Sequence, residues 1–568
     1  VEDDKDEMKA MRIALLQLNP TVGDLRSNVK KIADMAQEAK RRGASLAVAS
    51  ELVLCGYPPL DLVLRQDFLD ACKESLVELS RLVSIPTLVG VPVQESTTLG
   101  ARVYNAAVLC ENGTARTVVR KQLLPNYTVF DERRYFEPGT SEAPYVLRFG
   151  EHQIGLCICE DIWNDGTFWR ERRYALDPVL ELKRASVDVI INLSASPFDL
   201  NKPVLRERMV AHSAKRHALP ILMACQVGGN DQLLFDGGSA AYDAEGIVIA
   251  RSNSFEEDML LVDFKDGNLN GVENGKVKPI DDKNSLLLSA LSCGIRDYVT
   301  KCGAFDVFIG LSGGIDSALV AALAVHALGP KRVHPIWLPS AFSSKQSFDD
   351  AMAVAKGLGL ELETLPIEDV VSHFRNALSP SLAKLPDTHF LLAKDIADQN
   401  LQSRTRGVLL MALSNLRGGL VLATSNKSEC AVGYATLYGD MCGALAPIGD
   451  LYKTQVFEFA RYLSQVGLAL PENVLVKAPT AELKPGQLDE QSLPPYAQLD
   501  AMLMRYIEEG KSEEEIVKET GLETKLVSRV IAMVNQAEYK RGQGAPSLAV
   551  SEHAFKIGWR WPLAKRLS

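Results

Sequence analysis

No apolar run in this chain of 568 residues is long enough to cross a bilayer, and no signal-type segment opens it. Basic excess is missing too. Lys and Arg number 62 against 72 Asp and Glu, a formal net charge of −10. Such a chain has no global field to recruit nucleic acid, and an anionic ligand must be met by local cations. Cysteine is thinly spread, ten residues mostly inside apolar runs such as Leu156-Cys157-Ile158-Cys159. That usage excludes a disulfide framework and fits a reducing, cytoplasmic setting. Eight His are dispersed, and no second Cys or His cluster completes Cys157/Cys159 as a zinc site. Internal repeats and low-complexity tracts are absent. The acidic start, Val1 to Glu7, reads as a ragged or appended end.

What is present is ordinary globular composition, 46% hydrophobic and 24% charged, over a length too great for one core. Two to four domains are expected. From Met11 to Phe264, short β-type runs alternate with helical ones. Strands are predicted at Arg12–Leu18, Ser45–Ser50, Thr87–Val93, Tyr104–Glu111, Ala115–Lys121, Ile154–Cys159, Val187–Leu193, Ile221–Gln226 and Ile247–Arg251. Asn28–Lys40 has helical spacing, and Asn112-Gly113 signals a hairpin. A Gly- and Asn-rich stretch, Lys265 to Asn284, reads as a linker between domains at 11–264 and 285–568. Beyond it, strands at Asp306–Ile309, Val333–Leu338, Glu361–Pro366 and Leu420–Thr424 alternate with longer helices, which implies an α/β unit with a parallel sheet. Ser512–Gln536 is predicted helical, and Trp559-Arg560-Trp561 suggests a packed end.

The most informative stretch is Gly310-Leu311-Ser312-Gly313-Gly314-Ile315-Asp316-Ser317, between a β-rich run and a small-residue helical run. Strand, glycine turn and helix start aim free N–H groups at an anion. The loop lacks the Lys of a Walker sequence and carries Asp316 instead. A carboxylate beside a phosphate needs a cation between them, so the loop asks for Mg²⁺. SGGxDS resembles the pyrophosphate loop of the ATP pyrophosphatases, which cleave ATP to AMP and pyrophosphate.

In the first half, Glu51, Lys121 and Cys159 stand at or just beyond the ends of predicted strands. Acyl transfer from an amide needs a nucleophile, a proton carrier and a charge for the oxyanion, which a thiol, a carboxylate and an ammonium supply. The ammonium is also expected to favour thiolate over thiol. Singly, each residue fits a structural role better than a catalytic one. The flanks Ser50-Glu51-Leu52, Lys121-Gln122-Leu123-Leu124-Pro125-Asn126-Tyr127 and Cys159-Glu160-Asp161-Ile162-Trp163 resemble the nitrilase superfamily, in particular its glutaminase members. That resemblance implies an α-β-β-α sandwich in which Cys159 attacks glutamine, Glu51 moves the proton and Lys121 holds the oxyanion. It further implies glutamine contacts at Tyr127, Ser196 and Lys202, and a further carboxylate near the triad at Glu132. Some members carry Arg where Lys202 stands.

Three more blocks follow the glycine loop: Gln399 to Arg406, Thr424 to Asp440, and Pro479 to Tyr496. In an open parallel sheet, ligand residues gather beyond the carboxyl ends of strands. In this order the blocks resemble the NAD⁺ synthetase family, and the two halves together resemble its glutamine-dependent members. The resemblance implies that ATP adenylates the nicotinate carboxylate of deamido-NAD⁺ and that ammonia from glutamine displaces AMP. It places Gly310, Leu311, Ser312, Gly313, Gly314, Ile315, Asp316, Ser317, Thr424, Lys453 and Thr480 on ATP. Asn400, Arg404, Glu429 and Lys540 fall on deamido-NAD⁺, and Asp316 and Glu429 on Mg²⁺, so that Glu429 has two roles open to it. Leu437 and Ala444 stand where some single-domain members have Lys and Asp. A homo-oligomer is expected by analogy. Two other readings stay open: another amidotransferase built on the same ATP loop, and an amidase with a regulatory nucleotide-binding module.

Overall fold

The computed structural model describes residues 10–97, 100–140, 145–272, 277, 279–382, 390–468 and 470–565. The start, Val1 to Glu7, and part of the 265–284 stretch lie outside them. The chain divides into two compact units, Val1–Ala290 and Leu291–Ser568, with the division inside the helix Lys283–Lys301.

The first unit is built on two sheets. The larger runs, edge to edge, Asn268–Gly271, Asp258–Lys265, Met11–Gln17, Leu46–Ala49, Thr87–Thr97, Gly100–Glu111 and Thr114–Arg120. The second runs Val248–Arg251, Ala240–Tyr242, Ile221–Cys225, Val189–Ser194, His152–Ile158 and Val146–Phe149. Alternation along the strands sorts the side chains into layers. Ile13, Leu15, Leu46 and Val48 pack with Ile154, Leu156, Ile158, Ile191 and Leu193 of the other sheet. Their neighbours Ala14, Leu16, Ala47 and Ala49 join Val29, Ile32 and Ala36 of helix Leu25–Arg41 and Leu69 and Leu79 of helix Gln66–Leu82. On the far side, Ile190, Ile221 and Met223 pack on Val179, Leu182, Met209 and Val210 of helices Pro178–Arg184 and Lys202–His217. The result is an α-β-β-α sandwich. Strand Asn268–Gly271 pairs with Asp258–Lys265, so the sheet continues into the stretch read as linker.

The second unit centres on a parallel sheet with chain order third, second, first, fourth: Glu363–Thr364, Val333–Trp337, Asp306–Gly310, Gly419–Val421. The direction of winding reverses between Asp306–Gly310 and Gly419–Val421, which makes the carboxyl end of Asp306–Gly310 the switch point where open α/β sheets bind ligands. The fourth strand ends earlier than predicted, and Leu422 continues by a single bridge to Leu445. Helix Ile315–Leu328 leaves the glycine loop and is buried from Ala318 to Ala324, as a central helix must be. Ser512–Gln536 is two helices rather than one. Glu513–Thr520 starts with a Ser512/Glu515 capping box and stops at Gly521, whose φ of +68° is the left-handed cap; Thr524–Gln536 follows. Trp559 is buried and stacks on Trp561 at 4.3 Å. Among the described residues no helix is long and apolar enough to cross a membrane.

Candidate active sites

In the first unit the three residues named for amide chemistry converge. Glu51 follows strand Leu46–Ala49, Lys121 follows Thr114–Arg120, and Cys159 follows His152–Ile158. Lys121 and Glu51 are fully buried, and Lys121 Nζ lies 2.7 Å from Glu51 Oε1 and 2.7 Å from Glu132 Oε1. Tyr57 donates its hydroxyl to the same Glu132 oxygen at 2.9 Å. Asn105 Nδ2 reaches Glu51 Oε1 at 2.7 Å, and the Ala195 N–H reaches Oε2 at 2.9 Å. Cys159 has φ +42° and Leu52, next to Glu51, φ +47°. Strained left-handed turns therefore present both side chains. Gly90 makes room for the Glu51 turn, because a Cβ there would meet Leu52 N at 2.1 Å and Ser50 O at 2.6 Å.

For the thiol, the expected pull of Lys121 toward thiolate is present but is outweighed. Burial opposes the Lys121 charge, but Glu132 and Glu51 outweigh it and hold the ammonium well above its usual range. Burial also pushes the Cys159 thiol well above its usual value. Glu51 adds to that push, and the attraction of Lys121 does not offset the two. A thiol so held needs a proton acceptor before its sulfur can act as a nucleophile. Burial, opposed by Lys121 and reinforced by Glu51, brings the Glu132 carboxyl up to about 7.

Asp161 ties the site together. Its carboxylate accepts N–H groups from Gln122 at 3.0 Å and Leu123 at 2.8 Å, just past Lys121, and from Ile158 at 2.9 Å, just before Cys159. Of the residues expected on glutamine, Tyr127 donates to both Glu160 oxygens at 2.9 Å and has the Arg173 guanidinium over its ring at 3.8 Å. Ser196 is buried shortly after strand Val189–Ser194. Lys202 opens helix Lys202–His217 with its Nζ 4.5 Å from the Trp163 ring centre. Sequence reasoning missed Asn105, Tyr57 and Glu160. The signal for Asn105 was one polar residue at the head of the apolar run Ala106 to Cys110.

In the second unit a cavity of about 700 Å³ opens at the switch point. Gly310, Leu311, Ser312, Gly314, Ile315, Asp316, Ser317, Thr424, Lys453, Thr480, Asn400, Glu429 and Lys540 all border it. Gly313 and Arg404 are not among its lining residues. Gly313 shapes the loop, with φ +77° and no room for a Cβ, which would meet Ser347 O at 2.2 Å. Arg404 is exposed and donates to the Leu437 carbonyl at 3.1 Å. Lys540 Nζ donates to the Gly433 and Ala435 carbonyls at 2.7 and 2.9 Å. The Thr480 hydroxyl donates to Gln487 O at 2.5 Å, and Asn400 Oδ1 accepts from Thr436 Oγ1 at 2.8 Å.

Charge concentrates around Lys453. Its Nζ stands 2.5 Å from Asp316 Oδ2 and 3.1 Å from Glu429 Oε1. Asn426 Nδ2 holds the other Asp316 oxygen at 2.9 Å. Burial, opposed by Lys453 and reinforced by Asp316, brings the Glu429 carboxyl up to about 8. Among the described residues no three acidic, His or Cys side chains form a metal cage. Two convergent carboxylates still suit Mg²⁺, which takes one or two from protein and completes its shell with phosphate oxygens and water. Arg406, also at the cavity, is pulled down to about 10 by burial.

The family model described as NAD synthase matches residues 287–544, and the one described as Carbon-nitrogen hydrolase matches residues 12–270. A glutamine-dependent NAD(+) synthetase of Synechocystis sp. is 45% identical over 560 residues, covering 97% of this chain and 98% of its own length. The one from Thermotoga maritima is 42% identical, with 98% and 99% covered. The solved glutamine-dependent NAD+ synthetase from Acinetobacter baumannii in complex with adenosine diphosphate is 36% identical, covers 98% of each chain and has a TM-score of 0.75.

Proposed function

The chain belongs to the glutamine-dependent NAD(+) synthetase family, and we propose that its two units divide the family reaction, with residues 11–264 hydrolysing glutamine and residues 285–568 amidating deamido-NAD⁺. The net activity is ATP-dependent conversion of deamido-NAD⁺ to NAD⁺ with glutamine as nitrogen donor.

In the first unit the Cys159 thiol gives its proton to Glu51 as sulfur bonds to the side-chain amide carbon of glutamine. The oxyanion that develops faces the Lys121 ammonium, kept charged by two carboxylates. The C–N bond then breaks and ammonia leaves with the proton from Glu51. Water attacks the thioester, Glu51 takes its proton, and glutamate departs as the thiol re-forms. Tyr127, Ser196 and Lys202 hold the substrate's α-substituents.

In the second unit the N–H groups of Gly310 to Ser317 receive the ATP phosphates, with Thr424, Lys453 and Thr480 as further ATP contacts. The nicotinate carboxylate bonds to the α-phosphorus and pyrophosphate leaves; ammonia then displaces AMP from the acyl-adenylate. Asn400, Arg404, Glu429 and Lys540 are assigned to deamido-NAD⁺. Asp316 and Glu429 would hold Mg²⁺, which supplies charge neutralisation between carboxylates and phosphates.

The observation that supports this division best is the convergence of Glu51, Lys121 and Cys159 within one unit, while the phosphate loop borders a cavity wholly within the other. The test is Cys159→Ala. Glutamine-driven NAD⁺ formation is expected to vanish while ammonium-driven formation, with stoichiometric AMP and pyrophosphate, persists. Loss of both in a folded protein would refute the division.

A further inference from the structure

The catalytic carboxylate of Glu51 is bound asymmetrically. Oε1 accepts two donors, Lys121 Nζ and Asn105 Nδ2, both at 2.7 Å. Two donors fill both lone pairs of a carboxylate oxygen. Oε2 accepts the Ala195 N–H at 2.9 Å and keeps one lone pair. The residue before Ala195 touches the nucleophile, since Ser194 Oγ lies 3.5 Å from Cys159 Sγ. The Ser194-Ala195 dipeptide thus contacts the thiol with one residue and Oε2 with the next.

Asn105 is fully buried in strand Gly100–Glu111, opposite Pro92. It is tied to the site twice, because its carbonyl also accepts the Lys121 N–H at 2.8 Å. Its own Oδ1 is buried with no hydrogen-bond partner among the described residues. A hydrophobic residue would avoid that cost, so the site retains the amide for what its Nδ2 does.

From this we propose that Asn105 is a positioning residue for amide hydrolysis: by occupying Glu51 Oε1 together with Lys121, it leaves Oε2 as the oxygen that takes the Cys159 proton. Without the amide, Oε1 regains a lone pair, the carboxylate is free to rotate about its last torsion, and the proton acceptor no longer has a fixed bearing on the thiol. This assignment rests on the reading of Cys159 as the nucleophile.

The experiment compares full-length wild type, Asn105→Ala, Asn105→Asp and Cys159→Ala for glutamate release across pH, with thermal unfolding as the control for an intact first unit and ammonium-driven NAD⁺ formation for an intact second unit. Asn105→Ala is expected to lower kcat for glutamine about 10- to 100-fold and to leave KM within twofold. Asn105→Asp donates only when protonated, so its residual activity is expected to rise toward acid pH. A kcat unchanged in Asn105→Ala, or an effect carried by KM rather than kcat, overturns the assignment. Should Asn105→Ala fail to fold, the pH dependence of Asn105→Asp decides: no acid-side recovery overturns it. Glutamate release by Cys159→Ala would instead refute the nucleophile itself, separately from Asn105.

Discussion

Replacing Lys121 by Met removes the charge while nearly keeping the length of the side chain, and two effects of different size follow. The first is on stability. Lys121 Nζ is the cation between Glu51 and Glu132, both at 2.7 Å and all three buried. Removing one partner from a buried ion pair costs about 3–5 kcal/mol, because it leaves charge without compensation. Glu132, already brought up to about 7, then takes a proton and relieves part of that cost. The second effect is on rate. An oxyanion exists only in the transition state, so an ammonium aimed at it acts on kcat rather than on ground-state binding. Loss of one such group costs on the order of 10²-fold or more, about 2.7 kcal/mol. Glutamate release in Lys121→Met should therefore show kcat down by that factor and KM for glutamine little changed. Thermal unfolding should show a destabilised first transition. The double variant Lys121→Met/Glu132→Gln separates the effects: it should regain part of the stability, because one of the two orphaned carboxyls is then neutral, and regain no rate. A kcat equal to wild type with only KM raised would refute the oxyanion role. A double variant no more stable than Lys121→Met would refute the electrostatic account.

In the second unit, Asp316→Ala removes a partner of Lys453 and a carboxylate proposed for the cation, so synthesis should stop with either nitrogen donor while glutamate release persists; ammonium-driven turnover at the wild-type rate would exclude Asp316 from the site. Asp161→Ala strands three N–H groups, two of them buried, at about 1–3 kcal/mol for each buried one, so chemical denaturation should show a loss of several kcal/mol, and a loss under about 1 kcal/mol would mean that those groups find other acceptors. Burial raises the Glu132 carboxyl from 4.5 to about 7, so between those pH values the folded chain holds a proton that the unfolded chain has released. Stability from this group therefore falls as pH rises through that window. Glu132→Gln should flatten the fall, which denaturation midpoints at pH 5, 6, 7 and 8 will detect; an unchanged slope would assign the titration elsewhere.

The residues legible in the sequence and those that were not differ in how they act. Glu51, Lys121 and Cys159 could be read because each carries chemistry in its own side chain and follows an apolar strand run, where the ends of neighbouring strands bring such side chains together. The glycine loop was legible for a similar reason: its function lies in backbone geometry that local sequence dictates, and Gly313 at φ +77° against Ser347 O is where only glycine fits. The helix break at Gly521 escaped because apolar spacing continues on both sides of it, so periodicity alone reports one helix where the left-handed cap makes two.

Asn105, Asp161 and Gly90 belong to another class. None carries reactive chemistry in this site, and each acts by what it touches across a gap in sequence: Asn105 on Glu51 54 residues away, Asp161 on Leu123 38 residues away, Gly90 by yielding space to the turn at Leu52. Contacts of that kind depend on strand order and register, which no local pattern encodes. The thiol is a sharper instance. Sequence reasoning expected the Lys121 ammonium to favour thiolate over thiol, and in the fold its attraction does act in that direction. In the fold the same cation is already committed to two carboxylates, and burial plus Glu51 hold the proton on sulfur. On the proposed reading of Cys159 as nucleophile and Glu51 as its base, the rate depends on which Glu51 oxygen faces the thiol. The side chains that fix that oxygen then become part of the machinery, although nothing in their own chemistry announces it.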